Sequence, residues 1–539
     1  MERKEFDCVI IGGGPAGMKA ALSATSEGVS VVIVSKNKVG KSGNGTIAGG
    51  GHAAPGIQDD TKSIFIDDVL KSGRGINNKK LVKKLAEAGL HRVKELAQIG
   101  VEFERDNGNF LLHRDPGHSS ARTLYPERGK GAIVNEKLFK EVRRQNIAIL
   151  NDLVVLDLIT EKNHVSGILG LSRKTGEFVY LATSTCILCT GGGGQIYKSN
   201  DNTRGSTGDG YRIALTAGLR LIDMEFVQFY PAVMVHPLSG VLISPPIFER
   251  GGRLYNAKEE RFIEKYAPER LELATRDVKS RAIYQEIRKG NDVNGGVLLD
   301  LSHVERKDIQ KYTPALYDAF HGRVEELYET DLVIRPSAHY FMGGVVIDEH
   351  CRTGIKGLYA AGEVVGGIHG ANRLANNALT ACHVFGHIAG KNARQHARHG
   401  QKNTNDLKKV RERIREWKAC QGEEQKGKKV AQIQNEIKEI MWDKVGIVRR
   451  EKNLSDALTE LFKVKQSLEN ISCRERTDVI RLAETKSLLR SGLAITKVAL
   501  LRQESRGAHY REDFPQERTI WKKHIFIEEE NGKISTQMT

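Results

Sequence analysis

FDCVIIGGGPAG, Phe6–Gly17, sets the fold at the start of the chain. The apolar run FDCVII ends at Ile11 in the turn GGGPAG, an alanine-rich helical pattern follows, and a second apolar run, VVIV, spans Val31–Val34. Strand, glycine turn, helix and strand form one dinucleotide-binding unit. Gly12 permits the turn, Gly14 admits a pyrophosphate against the backbone, and Gly17 lets the helix pack closely. The helix N-terminus offers unpaired N–H groups to phosphate. Position 35 is serine where the simple pattern expects an acidic residue for the ribose, so that carboxylate is missing.

Two more strands run into glycine loops. Cys186–Cys189 leads to TGGGG, Thr190–Gly194, and then to NTRGSTGDGYRIALTAG, Asn202–Gly218, where a helical pattern resumes. GLYAA, Gly357–Ala361, leads to a loop carrying Glu363, His369 and Arg373, with a helix expected from about Asn377. If the three strands share a parallel sheet, their loops meet at one edge, as a large nucleotide cofactor requires. The stretch after VVIV, KVGKSGNGTIAGGG at Lys38–Gly51, is almost bare backbone around a lone Asn44.

The rest of the chain sets limits. At 539 residues it has room for two to four domains. Its formal charge of +16 favours acidic ligands, but Lys and Arg alternate with Glu through much of the C-terminal half and no stacking aromatics accompany them. A nucleic-acid surface is therefore not expected. The seven cysteines show no ligand spacing, and Cys186 and Cys189 sit in an apolar strand pattern, so no metal site is expected. No apolar run reaches 18 residues and no signal segment precedes the first strand, so the expectation is a cytoplasmic protein without an integral membrane segment. Residues 402–500 read as amphipathic helices, and the tail ends in strand-like IFIEE before an Asn531–Gly532 turn.

GGGPAG, CTGGGGQIYKSN, STGDGYRIA, DMEFVQFYP, LATRDVKSRA, RPSAHYFMGG, GLYAAGEVVGGIHGANRL and ESRGAHYRED occur in that order. In these segments, spread over nearly the whole length, the chain resembles the flavoprotein subunit family that contains fumarate reductase, succinate dehydrogenase and L-aspartate oxidase. The resemblance implies an α/β fold with a bipartite Rossmann-like FAD-binding domain, residues 1–231 and 345–401. It also implies an inserted α+β capping domain at 232–344, a C-terminal helical domain at 402–500 and a small terminal segment at 501–539.

The implied cofactor is FAD, held by Gly12, Gly14, Gly17, Ser35, Lys36, Gly43, Asn44, Gly45, Thr46, Gly49, Gly50, Gly51, Thr190, Gly191, Asp209, Glu363, Arg373 and Asn377. Small residues let a flat ring approach backbone N–H donors, which stabilise negative charge on a reduced flavin. Arg276 falls where the family uses an arginine as proton donor, with Asp277 beside it to orient it or relay a proton. His339 and Arg373 match two grips on a substrate carboxylate, a task suited to a charge-assisted fork and an imidazole. His369 is expected to shape its loop.

The departures from the family pattern bear on the substrate. Tyr230–Pro231 stands where His-Pro is usual, and Ser244–Pro245 where a Thr-Glu pair is usual, removing one carboxylate ligand and one proton-relay carboxylate. Tyr230 is expected to offer its hydroxyl instead. GHSSAR, Gly117–Arg122, is closer to aspartate-oxidase-like members. Asn44 falls where respiratory members attach FAD through a histidine, so noncovalent FAD is expected, with a turn residue as the plainer reading. The expected function is oxidoreduction at a C–C or C=C bond of a small carboxylate, with altered specificity. The resemblance implies a separate iron–sulfur or other electron-transfer subunit, peripheral membrane contact through that partner, and room for oligomerisation. A standalone aspartate-oxidase-like enzyme and a catalytically weak electron-transfer scaffold are the alternatives.

Overall fold

Five short apolar runs pair in parallel: β1 Cys8–Ile11, β2 Val31–Ser35, β3 Ala148–Asn151, β4 Cys186–Leu188 and β5 Leu358–Ala360. In this computed structural model, which describes residues 1–128, 130–399, 407–420, 429–469, 471, 473, 476–530 and 532–539, their spatial order is β5-β4-β1-β2-β3. β1, β2, β4 and β5 are buried throughout, as in a parallel sheet covered on both faces, which explains their unbroken apolar sequence. The three glycine loops expected to converge leave β1, β4 and β5 at one sheet edge, so the mixed α/β fold with a Rossmann-like region is the one read from the sequence.

Helix α1, Pro15–Ala24, starts directly after the first loop and has Pro15 at its first position, where no N–H is needed. A Cβ on Gly17 would lie 1.9 Å from the Gly12 carbonyl oxygen, and one on Gly12 would lie 2.1 Å from that of Cys189. Gly12 also has φ +117°, a conformation that L side chains rarely adopt. Helix α2, Asp209–Thr216, follows the loop after β4.

Between β4 and β5 a four-stranded antiparallel sheet is inserted, with strands Val227–His236, Val333–Phe341, Val297–Asp300 and Arg253–Tyr255 in that spatial order. Helix α3, Arg276–Arg288, packs on it, and Met234, Ile243, Phe262, Ile283 and Ile334 belong to a separate apolar core. Residue 231 lies inside the first of these strands, so the backbone crosses the expected 231/232 boundary within one continuous strand. Helix α4, Asn377–His399, then returns to pack on α1.

The C-terminal region is helical at Leu407–Ala419, Val430–Val445, Glu451–Glu469 and Arg476–Leu501; residues 402–406, 421–428, 470, 472, 474 and 475 of the expected helical region lie outside the described residues. Leu454, Ala457, Leu461, Val464 and Leu468 are buried at three- and four-residue spacing, the stripe of an amphipathic helix. Among the described residues no helix is long and apolar enough to cross a membrane. In the tail, Ile525–Glu530 pairs with both Leu221–Ile222 and Lys533–Met538; Asn531 of the expected turn lies outside the described residues.

An interior ion cluster ties this tail to the segment that enters the inserted sheet. Arg502 Nε donates to Glu225 Oε1 at 2.5 Å and Nη1 to Glu504 Oε1 at 3.2 Å, and all three residues are fully buried. Arg506 Nε donates to the same Glu504 oxygen at 2.7 Å. Removing one member strands a charge that the interior cannot solvate. Arg502→Met is therefore expected to lower stability by about 3–5 kcal/mol. A denaturant midpoint equal to that of the parent protein would show that the cluster contributes little.

Candidate active site

The loops after β1, β2, β4 and β5 border one cavity of about 900 Å³ that continues under the inserted sheet. Of the cofactor residues expected from sequence, Gly12, Gly14, Ser35, Lys36, Gly43, Asn44, Gly45, Gly49, Gly50, Gly51, Thr190, Gly191, Asp209, Glu363 and Arg373 line it. Gly17, Thr46 and Asn377 do not. Gly17 is the helix-packing glycine, and the Thr46 hydroxyl donates to the Gly43 carbonyl at 2.8 Å, bracing the loop from behind. Asn377, fully buried at the start of α4, has both side-chain amide atoms without a protein partner.

The cavity fits FAD. A Cβ on Gly14 or Gly49 would meet nothing within 4 Å, so the backbone there is open to a ligand. Thr190 Oγ1, on a residue of the wall, is a buried polar atom whose partner the described protein does not supply. Lys36 is less free than expected. Its Nζ donates to Thr207 Oγ1 at 2.7 Å and to Asp209 Oδ2 at 2.6 Å, joining β2 to the start of α2. Burial, the largest single influence, pushes the Asp209 carboxyl up, but the Lys36 charge and hydrogen bond, the Arg212 charge and a Ser487 hydrogen bond together leave the pKa lowered.

Asn44 opens a single 3-10 turn, Asn44–Thr46, which agrees with its reading as a turn residue. Its side chain also reaches the loop after β4. Nδ2 donates to Asn202 Oδ1 at 2.5 Å, while Oδ1 accepts from Thr203 N at 3.0 Å and Ser206 Oγ at 2.9 Å. One amide thus closes two glycine loops against each other across the cavity wall.

At the insertion end, Arg276, Arg373, His339 and Tyr230 share the wall. Arg373 is buried, with Nη2 donating to Gln228 Oε1 at 2.9 Å, its carbonyl accepting from Gln228 Nε2 at 3.0 Å, and its guanidinium 4.7 Å from the Tyr340 ring centroid. Burial, reinforced by the nearby Arg276 charge, pulls its pKa down to about 10, and its Nε has no hydrogen-bond partner among the described residues. His339 Nδ1 donates to Asp201 Oδ2 at 2.7 Å, which leaves Nε2 for the cavity. Burial lowers the His339 pKa, Asp201 opposes that shift, and Arg373 and Arg276 add to it.

Two expectations need correction here. Tyr230 donates its hydroxyl to the Ile243 carbonyl at 2.9 Å, so that proton is not offered to a ligand; its ring instead supports the Arg276 guanidinium, 5.1 Å from the centroid. Asp277 lies off the cavity wall and pairs with Arg281 at 3.1 Å, one turn along α3, because an i,i+4 pair is within reach whereas adjacent side chains diverge. His369 is buried with neither ring nitrogen partnered and packs edge-on to Tyr340, consistent with shaping the loop. The site also contains residues that sequence reasoning did not single out. Tyr125 donates to Asp115 Oδ1 at 2.9 Å and accepts from Asn376 Nδ2 at 2.9 Å; Asp201 and Gln228 hold His339 and Arg373. Asp201 follows the CTGGGGQIYKSN motif and Gln228 falls within DMEFVQFYP, but no spacing marks either as a partner. Among the described residues no group of His, Cys, Asp and Glu could hold a metal ion.

The chain matches the family described as FAD binding domain over residues 7–379, and the one described as fumarate reductase flavoprotein C-term over residues 434–539. It is 38% identical to an uncharacterized FAD-dependent oxidoreductase of Methanocaldococcus jannaschii, covering 97% of this chain and 96% of that protein. It is also 38% identical to a fumarate reductase (CoM/CoB) subunit of Methanothermobacter marburgensis, covering 99% of each. Among solved structures, E. coli quinol fumarate reductase FrdA superposes with a TM-score of 0.93 at 27% identity, covering 100% of this chain and 97% of that one.

Glu363 gives the site a measurable pH signature. Burial is the main cause that raises its pKa from an ordinary 4.5 to about 7, against the opposing Phe341 N–H bond and the Arg373 charge. The native state therefore holds this proton more tightly than the unfolded chain does, and stability falls as pH rises from about 4.5 to about 7. In FAD-free protein the denaturation midpoint of Glu363→Gln should lack that part of the decline. Parallel midpoint-versus-pH curves for parent and variant would contradict the assignment.

Proposed function

We propose a substrate and an electron route for this chain, which belongs to the fumarate reductase/succinate dehydrogenase flavoprotein family, related also to L-aspartate oxidase, and is an FAD-dependent oxidoreductase. It reduces the C=C bond of an unsaturated dicarboxylate of the fumarate type. The observation that carries this reading is that Arg276, Arg373 and His339 face one end of the cavity whose other walls are the glycine loops. Two guanidinium groups, neither paired with a carboxylate among the described residues, and an imidazole favour a compact anion there.

Reduced FAD supplies the hydride equivalent when bound. Arg373, held by Gln228 and Tyr340, grips one carboxylate through a fixed fork. His339, with Nδ1–H engaged by Asp201, donates from Nε2 only as the imidazolium, so binding of the anion brings a proton onto the ring. Together they draw charge toward the carboxylate and make the far alkene carbon electrophilic. Arg276, at the first position of α3 and resting on Tyr230, gives its proton to the other carbon. A guanidinium is a weak acid, adequate toward a carbanion-like centre in a dry site.

Ser244, Pro245 and Pro246 form part of the wall at the insertion end. They offer one hydroxyl and no charge, which supports a looser hold on the substrate's far end and an altered specificity. Residues 232–344 act as a cap that brings Arg276 over the cavity. FAD is held without a covalent bond, a reading supported by the amide at position 44 and its hydrogen bonds to Asn202, Thr203 and Ser206. The name of the Methanothermobacter relative, one subunit of a fumarate reductase, supports electron delivery by a separate redox partner.

The test is turnover of purified holoprotein with a reduced dye and a panel of unsaturated acids, with L-aspartate oxidation as the competing assay. Fumarate reduction without aspartate oxidation is expected. Arg276→Gln should lower kcat by about 10²–10⁴-fold while retaining FAD. Inactivity toward the whole panel with FAD bound would defeat the substrate reading. Denaturation should free the flavin from the polypeptide, and flavin that stays attached would defeat the noncovalent reading.

A further inference from the structure

A proton given up by Arg276 must be replaced on every turnover, and the neighbouring carboxylate does not do it, because Asp277 is paired with Arg281. Three residues along α3, on the same face, stands Lys279, only 5% exposed. Its Nζ lies 3.7 Å from the centroid of the Phe248 ring, and among the described residues it has no hydrogen bond or ion pair. A buried ammonium without a carboxylate partner is costly.

The charged groups that bear on Lys279 come from three elements. Glu272, in the 3-10 turn Leu271–Leu273, is committed to Arg261 at 3.0 and 2.6 Å and to the Leu254 N–H. Glu249, at the end of the short helix Pro246–Glu249, is exposed and stands on the cavity wall. Arg276 is on Lys279's own helix, and Tyr230, on the strand beneath, has its hydroxyl engaged by Ile243. Burial pushes the lysine pKa down to about 7; Glu272 and Glu249 oppose the shift and Arg276 adds to it.

We propose that Lys279 reprotonates Arg276. This inference rests on Arg276 being the proton donor to the substrate. After Arg276 has given a proton to the substrate carbon, its neutral guanidine takes one from the Lys279 ammonium, directly or through one water. The lysine amine then takes a proton from solvent by way of Glu249. One proton enters for each one transferred to carbon, and no electrons move along this path. The direction is downhill, since a guanidinium holds its proton far more tightly than this ammonium does. Lys279 acts through Arg276 and does not touch the substrate, so it is a positioning and relay residue.

The experiment compares FAD-loaded parent protein, Lys279→Met, Lys279→Arg and Arg276→Gln in fumarate reduction by a reduced viologen across the neutral pH range. Parent kcat should fall as pH rises through about 7, the value at which Lys279 loses its proton. Lys279→Met should be slower by about 10²-fold and lack that fall, with KM and FAD content unchanged. Lys279→Arg should recover turnover and move the fall to higher pH. If Lys279→Met keeps both the parent rate and the parent pH profile, the relay is overturned. Should Lys279→Met lose FAD, the arginine variant decides, and an unmoved fall there overturns it equally. If Arg276→Gln turns over like the parent, the acid assignment fails and this inference fails with it. If Arg276→Gln is inactive while Lys279→Met is unchanged, only Lys279 is wrong.

Discussion

The contact of Gly17 on the Gly12 carbonyl, and of Gly12 on the Cys189 carbonyl, is the constraint from which the rest of the site follows. Each place leaves about 2 Å for an atom that any other residue would put there. Backbone touching backbone fixes the start of α1 against β1 and β4, and so sets two glycine loops side by side. A side chain at either position would wedge the loops apart and displace the α1 N-terminus, where phosphate is to be held. Thr190, Asp209 and Glu363 owe their shared cavity to that approach, since each hangs on a loop or helix that starts at this sheet edge.

Polar contacts then close what the glycines leave open. Asn44 and Lys36 each cross from the β2 side to the segment after β4, one by a fan of neutral hydrogen bonds and one by a salt bridge. The Arg502 cluster does the same for the tail. These links join segments that are far apart in sequence. They give a wall of small residues a fixed shape that its few apolar contacts could not impose.

The sheet, its loops and the family were legible because their signals are local: apolar runs of strand length, glycines at fixed offsets, and short motifs in order. The arginine and histidine positions were legible by resemblance. What escaped was pairing. Asp277 sits next to Arg276 in sequence, yet helical geometry points it at Arg281. Tyr230 looked like a free hydroxyl because nothing near it in the sequence marks the Ile243 carbonyl as its acceptor. Tyr125 and Asp115 are ten residues apart and meet a third partner, Asn376, across the fold. The resemblance implies a cofactor contact at Asn377, but it is the adjacent Asn376 that lines the wall, while Asn377 opens α4 where expected and is fully buried.

The two strands by which the chain enters and leaves the insertion also carry, or support, the proposed substrate grips. Val227–His236 brings Gln228, which holds Arg373, and Tyr230, which supports Arg276; its partner Val333–Phe341 brings His339. Arg373 belongs to the loop after β5 and Arg276 to the insertion. Under the proposed roles, any rocking of the insertion about these strands would carry Arg276 away and leave Arg373 behind. In that reading the fork of Arg373 and the proton of Arg276 sit on opposite sides of one mechanical joint, so an anion can be gripped before the chemistry is in place.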